Sequence, residues 1–210
     1  YQFHALDATN ITTLEYSICQ DVPSGTGIYI SSEIAPARNL LIHHNTVARV
    51  NGSDINTNGG IYSRSAGFAA GNNNVIIRDN LIDINTGQFG HMADFGEISN
   101  LPQIMNYNAY IKSGSTTTWS WNGISYNTLS AWRATTGKDA NSVVLASNTF
   151  VNRTNGDFRI ATGHPAKTIS STGGEIGAYG GGSLIIGVDS NTSTPPPPGA
   201  PTAPTRLRIL

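Results

Sequence analysis

The amino-acid sequence predicts an all-β fold in which short strands stack as a parallel β-helix. Three observations lead to this prediction. The composition is rich in turn residues and in strand-forming Ile, Val and Tyr, an internal repeat of irregular length runs along the chain, and an asparagine recurs shortly before apolar residues. Turn chemistry that alternates with short apolar segments is typical of many short strands.

The composition also excludes several classes of protein. Only 12% of the 210 residues are charged and the net charge is −1, so the sequence predicts no nucleic-acid partner. No apolar run approaches the roughly 20 residues of a membrane-spanning helix, so we expect no membrane span. Cys19 is the only cysteine, which leaves packing and hydrogen bonds to stabilise the fold.

The repeat appears when two segments are aligned. Residues 27–52 (GIYISSEIAPARNLLIHHNTVARVNG) and residues 60–87 (GIYSRSAGFAAGNNNVIIRDNLIDINTG) share the order Gly-Ile-Tyr, loop, Asn, apolar run, second Asn, apolar run and glycine. The second asparagines, with two later echoes, lie at positions 45, 80, 108 and 148, which are 35, 28 and 40 residues apart. A variable period favours strands joined by loops that tolerate insertions over a helical repeat of fixed length.

Each repeat contains three short strands. The first is the Gly-Ile-Tyr strand, the second is NLLIHH or NNVIIRD, and the third is TVARV or LIDIN. In the first strand Ile28 and Ile30 should point inward and Tyr29 outward, because successive side chains alternate between the faces of a sheet. If the chain winds in one direction, each strand lies about 4.8 Å from its counterpart in the next coil and hydrogen-bonds to it. This arrangement is a parallel β-helix.

The last part of the repeat region resembles a known family. Residues 157–180, DFRIATGHPAKTISSTGGEIGAYG, are similar to the closing coil of many secreted proteins of the pectate-lyase-like superfamily. That pattern has an Asp-Phe-Arg-Leu strand, a Gly-Ser-Pro-Ala turn and a final Ile-Gly-Ala-Tyr or Phe. This chain departs from it with His164 in place of the serine and with Lys167 and Thr168 after Ala166. The resemblance implies a right-handed parallel β-helix and a secreted or cell-surface location.

The resemblance also implies a role for the recurring asparagines. Members of this superfamily stack asparagines in a ladder at a tight turn between the second and third strands. We expect the side-chain amides to hydrogen-bond the turns above and below. The predicted ladder consists of Asn45, Asn80, Asn108 and Asn148.

The segment over residues 119–143 interrupts the period. Its sequence, WSWNGISYNTLSAWRATTGKDANSV, predicts a short helical excursion near residues 126–136. Trp119, Trp121 and Trp132 have two interpretations, either as stacking faces for sugars or as contacts that hold the excursion against the coils. The second is favoured, because an insertion of this size needs apolar contacts of its own.

One candidate functional face follows the first strand. Relatives that cleave or epimerise uronic-acid polymers work beside this strand, where the stacking should place Tyr29 above Tyr62 and Ser31 above Arg64. We expect Tyr29, Tyr62 and Arg64 to bind carbohydrate, and Arg64 is also a candidate for catalysis. The alternative is that the tyrosines are ordinary cross-strand partners.

A second candidate is the segment HMADFGE, which contains His91, Asp94 and Glu97 and is expected in a loop after the third strand. One imidazole and two carboxylates so close together suit acid–base catalysis or a metal, but a solvated loop is the favoured interpretation, because loops of β-helices are polar in any case. The turn NGSDINTNGG offers Asp54 to Ca²⁺ but lacks the dense acidic pattern of a calcium loop. We therefore predict no metal or other cofactor, and the sequence leaves open whether the protein is an enzyme.

The C-terminal region changes in composition. We assign residues 1–182 to the β-helix, with coils expected to be missing before Tyr1, and residues 183–210 to a Pro-rich extended tail that ends in a strand-like RLRIL. The sequence therefore leaves two alternative functions open. The first is an extracellular module that binds polysaccharide or a cell-surface glycan, like the C-terminal part of a polysaccharide lyase or epimerase. The second is a structural or adhesive subunit that forms homo-oligomers or filaments through open coil ends and the tail.

Overall fold

The structure, a computed structural model, describes residues 2–4, 10–22, 25–32, 35–51, 59–65, 67–85, 91–96, 98–112 and 118–180. Three of the predicted features lie outside the described residues: the C-terminal tail over residues 183–210, Asp54 and Glu97.

Seventeen strands, one α-helix and one 3₁₀ turn make up the described chain. In order the strands are β1 Gln2–His4, β2 Thr12–Glu15, β3 Ile18–Gln20, β4 Thr26–Ser32, β5 Leu40–His43, β6 Thr46–Asn51, β7 Gly59–Ser65, β8 Val75–Arg78, β9 Leu81–Asn85, β10 His91–Phe95, β11 Ile104–Asn106, β12 Ala109–Lys112, β13 Thr118–Trp121, β14 Ile124–Tyr126, β15 Val143–Leu145, β16 Phe150–Asn152 and β17 Asp157–Ile160. Helix α1 covers Leu129–Thr136, and the 3₁₀ turn covers Pro165–Lys167.

These strands form a parallel β-solenoid of about four turns. The first sheet has the order β1-β4-β7-β10-β13, with β14 added antiparallel at its end. The second sheet has the order β2-β5-β8-β11, and the third has the order β3-β6-β9-β12-β15. Four coils contribute one strand to each sheet, and β13 and β15 extend the first and third sheets, so the predicted three-stranded coil and the parallel β-helix are confirmed.

The solenoid interior is filled by the inward side chains of all three sheets. In the first sheet Ile28, Ile61, Ala93 and Trp119 stack in register, and each is at most 1% exposed. The second sheet adds an inward row of Leu14, Ile42, Ile77 and Met105. Because the side chains alternate, every inward row leaves an outward row on the opposite face of the same sheet.

The corner between the second and third strands contains the asparagine ladder. Asn45 N–H donates to Asn80 Oδ1 at 3.1 Å, and Asn80 N–H donates to Asn108 Oδ1 at 3.1 Å. The side-chain amides add Asn45 Nδ2 to Asn80 Oδ1 at 3.0 Å and Asn80 Nδ2 to Asn108 Oδ1 at 3.1 Å. Each amide therefore satisfies buried backbone and side-chain groups of the neighbouring coil, as predicted for these three residues.

The residue before each ladder position adopts a left-handed backbone. Tyr16, His44, Asp79 and Tyr107 have φ between 47° and 58°. This conformation costs a non-glycine residue about 1 kcal/mol or more, and the hydrogen bonds of the following residue offset it. The corner is thereby closed in only two residues at every coil.

The ladder ends differently from the prediction. Ser17 N–H donates to Asn45 Oδ1 at 3.1 Å at one end, and Asn108 N–H donates to Ser142 Oγ at 2.8 Å at the other. Asn148 is exposed and lies outside the ladder, so its assignment was wrong. A serine hydroxyl supplies the same acceptor with a shorter side chain, which an asparagine pattern does not reveal.

The predicted excursion contains α1. Thr128 Oγ1 accepts from Ala131 N–H at 3.1 Å at the N-terminus of α1, and Gly137 ends the helix with φ 67°. Trp132 is fully buried and donates from Nε1 to Asp139 Oδ2 at 2.8 Å. The fully buried Asp139 also accepts hydrogen bonds from Asn108, Tyr110 and Ser142. Trp132 therefore holds the excursion against the coils, as the favoured interpretation predicted for it. Trp119 and Trp121 instead belong to β13 of the first sheet, where Trp119 is buried in the core.

The C-terminal segment covers the outer face of the third sheet. The antiparallel hairpin β16–β17 and the 3₁₀ turn bury Leu81 and Ile111 against Phe158, Ile160 and Ile176, forming a second apolar cluster. The fully buried Asp83 carboxylate accepts from Arg153 Nε at 2.7 Å, which ties the hairpin to the sheet. Residues 157–180, which resemble a closing coil in sequence, therefore lie across the outer face of the third sheet and do not form a further coil of the solenoid. None of the described helices is long and apolar enough to cross a membrane.

Replacing Asn80 by alanine should lower the free energy of unfolding by about 3–5 kcal/mol, because several buried groups of two coils lose their partners. Urea denaturation followed by circular dichroism measures the change. Asn148→Ala is the matched control and should stay within about 0.5 kcal/mol of the wild type, since this asparagine is exposed. Equal effects of the two substitutions would contradict the ladder assignment.

Candidate functional site

The outward face of the first sheet brings together the two groups of residues that the sequence singled out. One register row runs across five strands through Gln2, Tyr29, Tyr62, Asp94 and Ser120. The predicted tyrosine pair and the predicted acidic residue are therefore neighbours on one surface.

The segment HMADF is a strand, and its prediction as a loop was wrong. Residues His91–Phe95 form β10, in which Met92, Ala93 and Phe95 are fully buried in the core. A register shift between His91 and Ala93 hides the simple alternation in the sequence. The inward apolar residues draw this segment into the first sheet, and Asp94 remains on the outer face.

The two tyrosines stack as predicted. Their ring centroids are 5.3 Å apart with an interplanar angle of 26°. Tyr62 is only 4% exposed, whereas Tyr29 is partly exposed. Tyr29 is therefore the ring that offers a surface to a ligand, and Tyr62 supports it from the next coil. Arg64 lies in register with Ser31, as predicted, and its side chain is outside the described part of the chain.

His91, Asp94 and Thr118 form a polar group beside the tyrosines. Asp94 Oδ1 accepts from Gly96 N–H at 3.0 Å, which leaves Oδ2 directed toward His91 Nε2 at 3.9 Å. His91 Nδ1 lies 2.6 Å from Thr118 Oγ1, close enough for a hydrogen bond. Burial lowers the pKa of His91 and the Asp94 charge opposes this shift. Burial therefore favours the neutral imidazole, and Nε2 lies too far from Asp94 Oδ2 for a close hydrogen bond.

The polar group depends on small residues around it. A Cβ atom at Gly96 would lie 2.6 Å from Ser120 Oγ and 3.1 Å from Asp94 Oδ1.

Sequence reasoning missed Thr118 and Ser120, although they alternate with Trp119 and Trp121 in the stretch TWSW. That alternation indicates a strand whose hydroxyl residues share the outer face.

The chemistry available at this face is hydrogen bonding and proton transfer. In the described part of the chain one carboxylate and one imidazole meet there, and no group of three or more His, Cys, Asp or Glu side chains is arranged to hold a metal. A partly exposed aromatic ring next to carboxylate, imidazole and hydroxyl groups suits a ligand with apolar faces and many hydroxyls.

Comparison of the chain with protein-family models, with curated proteins and with solved structures finds no match. The fold assignment therefore depends on the strand register. Any function depends on the geometry of the outer surfaces.

A second titratable cluster lies at the ladder corner of the second sheet. His43 Nδ1 and His44 Nδ1 are 2.9 Å apart, so one imidazole donates and the other accepts. His43 Nε2 lies 3.0 Å from Glu15 Oε2, and the Tyr16 ring stacks on His44 at 5.3 Å. Burial lowers the pKa of both histidines, and the Arg78 charge lowers that of His43 further. These side chains pair with one another and hold the corner together.

Stability should fall with acidification because of this histidine pair. The folded-state pKa of each histidine lies below its ordinary value of 6.5, so the unfolded chain binds more protons below that pH. The stabilising effect is complete above pH 6.5 and is lost as pH falls toward the folded-state pKa. We expect a drop in Tm between about pH 7 and pH 5.

The matched variant is His44→Asn, because asparagine tolerates the left-handed backbone at this position (φ 50°). Thermal unfolding of both proteins across this pH range should show a smaller drop in Tm for the variant. An identical pH dependence would contradict the role of the pair.

Proposed function

We propose that the chain is an extracellular β-helix module that binds polysaccharide along the outer face of its first sheet. The observation that supports this proposal most directly is the single row in which the stacked Tyr29–Tyr62 pair continues into Asp94 and Ser120. The row runs across the strands, so a bound chain would lie along the solenoid axis.

The physical argument concerns the match between this row and a sugar polymer. Sugar rings present an apolar face of C–H groups, which packs on aromatic rings, and an edge of hydroxyls, which needs hydrogen-bond partners. Tyr29 supplies the first contact, while His91, Asp94 and Thr118 supply the second. Successive strands are about 4.8 Å apart, which is close to the length of one sugar unit.

The superfamily resemblance supports the remaining parts of the proposal. Residues 157–180 resemble the closing coil of secreted β-helix proteins of the pectate-lyase-like superfamily, in which polysaccharide binds beside the first strand. The extracellular location is proposed on that resemblance. Catalysis is not part of the proposal.

Replacing Tyr29 by alanine should weaken polysaccharide binding about tenfold, because the exposed aromatic surface is lost. Affinity electrophoresis in gels that contain a neutral glucan or a polygalacturonate measures the binding. Tyr16→Ala is the matched control, since Tyr16 stacks on His44 at the second-sheet corner and away from the row. It should leave migration unchanged.

Asp94→Asn tests the polar half of the site in the same assay. This substitution keeps the size of the side chain and removes its charge, so binding should weaken while the fold persists. Circular dichroism and Tm of each variant separate a local effect from unfolding. The proposal fails if neither polysaccharide retards the wild type, or if Tyr29→Ala migrates like the wild type in every gel that retards it.

A further inference from the structure

The spacing between His91 and Asp94 is suited to one oxygen atom of a ligand. Nε2 of His91 lies 3.9 Å from Oδ2 of Asp94, which is about 1 Å too long for a hydrogen bond between them. A single oxygen atom can lie about 2.8 Å from both, which is the length of a good hydrogen bond. The two side chains are 19% and 11% exposed, so they are accessible to a ligand from the outer face of the first sheet.

The hydrogen bonds around this pair determine which chemical group fits. Gly96 N–H donates to Asp94 Oδ1 at 3.0 Å, so Oδ2 is the acceptor that faces His91. The negative charge of Oδ2 favours the imidazole tautomer that carries its proton on Nε2. Nδ1 then accepts from the Thr118 hydroxyl at 2.6 Å. The pair therefore presents one donor, the Nε2–H group, and one acceptor, the Oδ2 atom.

A sugar hydroxyl satisfies both sides of this pair. Its oxygen accepts from Nε2–H while its own proton is donated to Oδ2, because a hydroxyl is both donor and acceptor. The carboxylate of a uronic acid offers acceptors only. Its negative charge would lie within about 4 Å of the Asp94 carboxylate, which is repulsive in a partly buried site. The pair therefore favours a neutral sugar unit over a uronate.

We propose that this row selects neutral polysaccharide over uronate polymers, with one sugar hydroxyl bridging His91 Nε2 and Asp94 Oδ2. The inference rests on the proposed function, and it gives the site a ligand class different from the uronic-acid polymers that the superfamily resemblance implies. Asp94 lies two strands from Tyr29, about 10 Å along the solenoid axis. A sugar ring stacked on Tyr29 and the bridging hydroxyl therefore belong to different units of one polymer.

Affinity electrophoresis of the full chain tests the selection with pairs of polymers that differ in charge. One pair is a neutral glucan and the same glucan oxidised at C6 to the polyuronate. The other pair is methyl-esterified and de-esterified polygalacturonate. We expect the apparent Kd for the neutral member of a pair to be about fivefold lower than for the acidic member. The mobility in a gel without polymer corrects for the charge of each protein.

Variants of the two side chains distinguish the bridge from a general effect of charge. Asp94→Asn should weaken binding of the neutral polymer and bring the two Kd values within about twofold of each other, because the repulsion is lost. Asp157→Asn makes the same charge change on β17 and should keep the wild-type ratio. His91→Leu should weaken neutral binding about tenfold. His91→Gln should recover part of this loss, because its amide donates in place of Nε2–H.

Three results would overturn the inference in variants whose circular dichroism matches that of the wild type. They are equal binding of the acidic and neutral polymers, an unchanged ratio in Asp94→Asn, and His91→Gln binding no better than His91→Leu. Arg64, two residues after Tyr62 on β7, provides a contrary outcome. Tighter binding of the acidic polymer that is lost in Arg64→Gln would assign the row to uronates and leave the proposed function standing. If none of the four polymers retards the wild type, the proposed function fails and the selection fails with it.

Discussion

The two-residue corner between the second and third strands is the constraint on which the rest of the molecule depends. A left-handed residue such as His44 turns the chain, and the next residue, such as Asn45, bonds to the coil beside it. Four corners repeat the two-residue turn, and the ladder that links them ends at Ser17 on one side and at Ser142, beyond the fourth corner, on the other. Because each corner has the same length, the third strand of every coil enters the third sheet in the same register relative to the second strand. A slip of one residue would turn the inward row outward.

The candidate site is a consequence of this register. Tyr29 and Tyr62 are 33 positions apart, and Asp94 follows 32 positions later, yet all three lie in one row because the coils stack without slipping. The proposed polysaccharide-binding row therefore draws on several coils. Binding would therefore depend on the stacking as a whole, and loss of the ladder should disrupt the face as well as the stability.

Sequence reasoning succeeded where one residue type is required by a repeated physical task. The three strands of each coil, the excursion around α1 and the ladder positions Asn45, Asn80 and Asn108 were predictable from alternation and recurrence. The assignment of Asn148 to the ladder was wrong because the excursion around α1 changes the spacing between ladder positions. Ser142 accepts the hydrogen bond there instead. His91 and Asp94 were recognised as chemically interesting, but a local register shift disguised their strand as a loop. Their proximity to Tyr62 is a long-range property, which local patterns do not contain.

The corners differ in how much change in length they permit. Two residues join each second strand to the third, whereas five to seven separate the third strand from the next first strand, as between β9 and β10 or between β6 and β7. The ladder spacings of 28, 35, 28 and 34 residues arise entirely outside the two-residue corner. Insertions and grafted peptides therefore belong at the other two corners. Both of these corners border the first sheet, so inserted segments would extend the rim of its outer face.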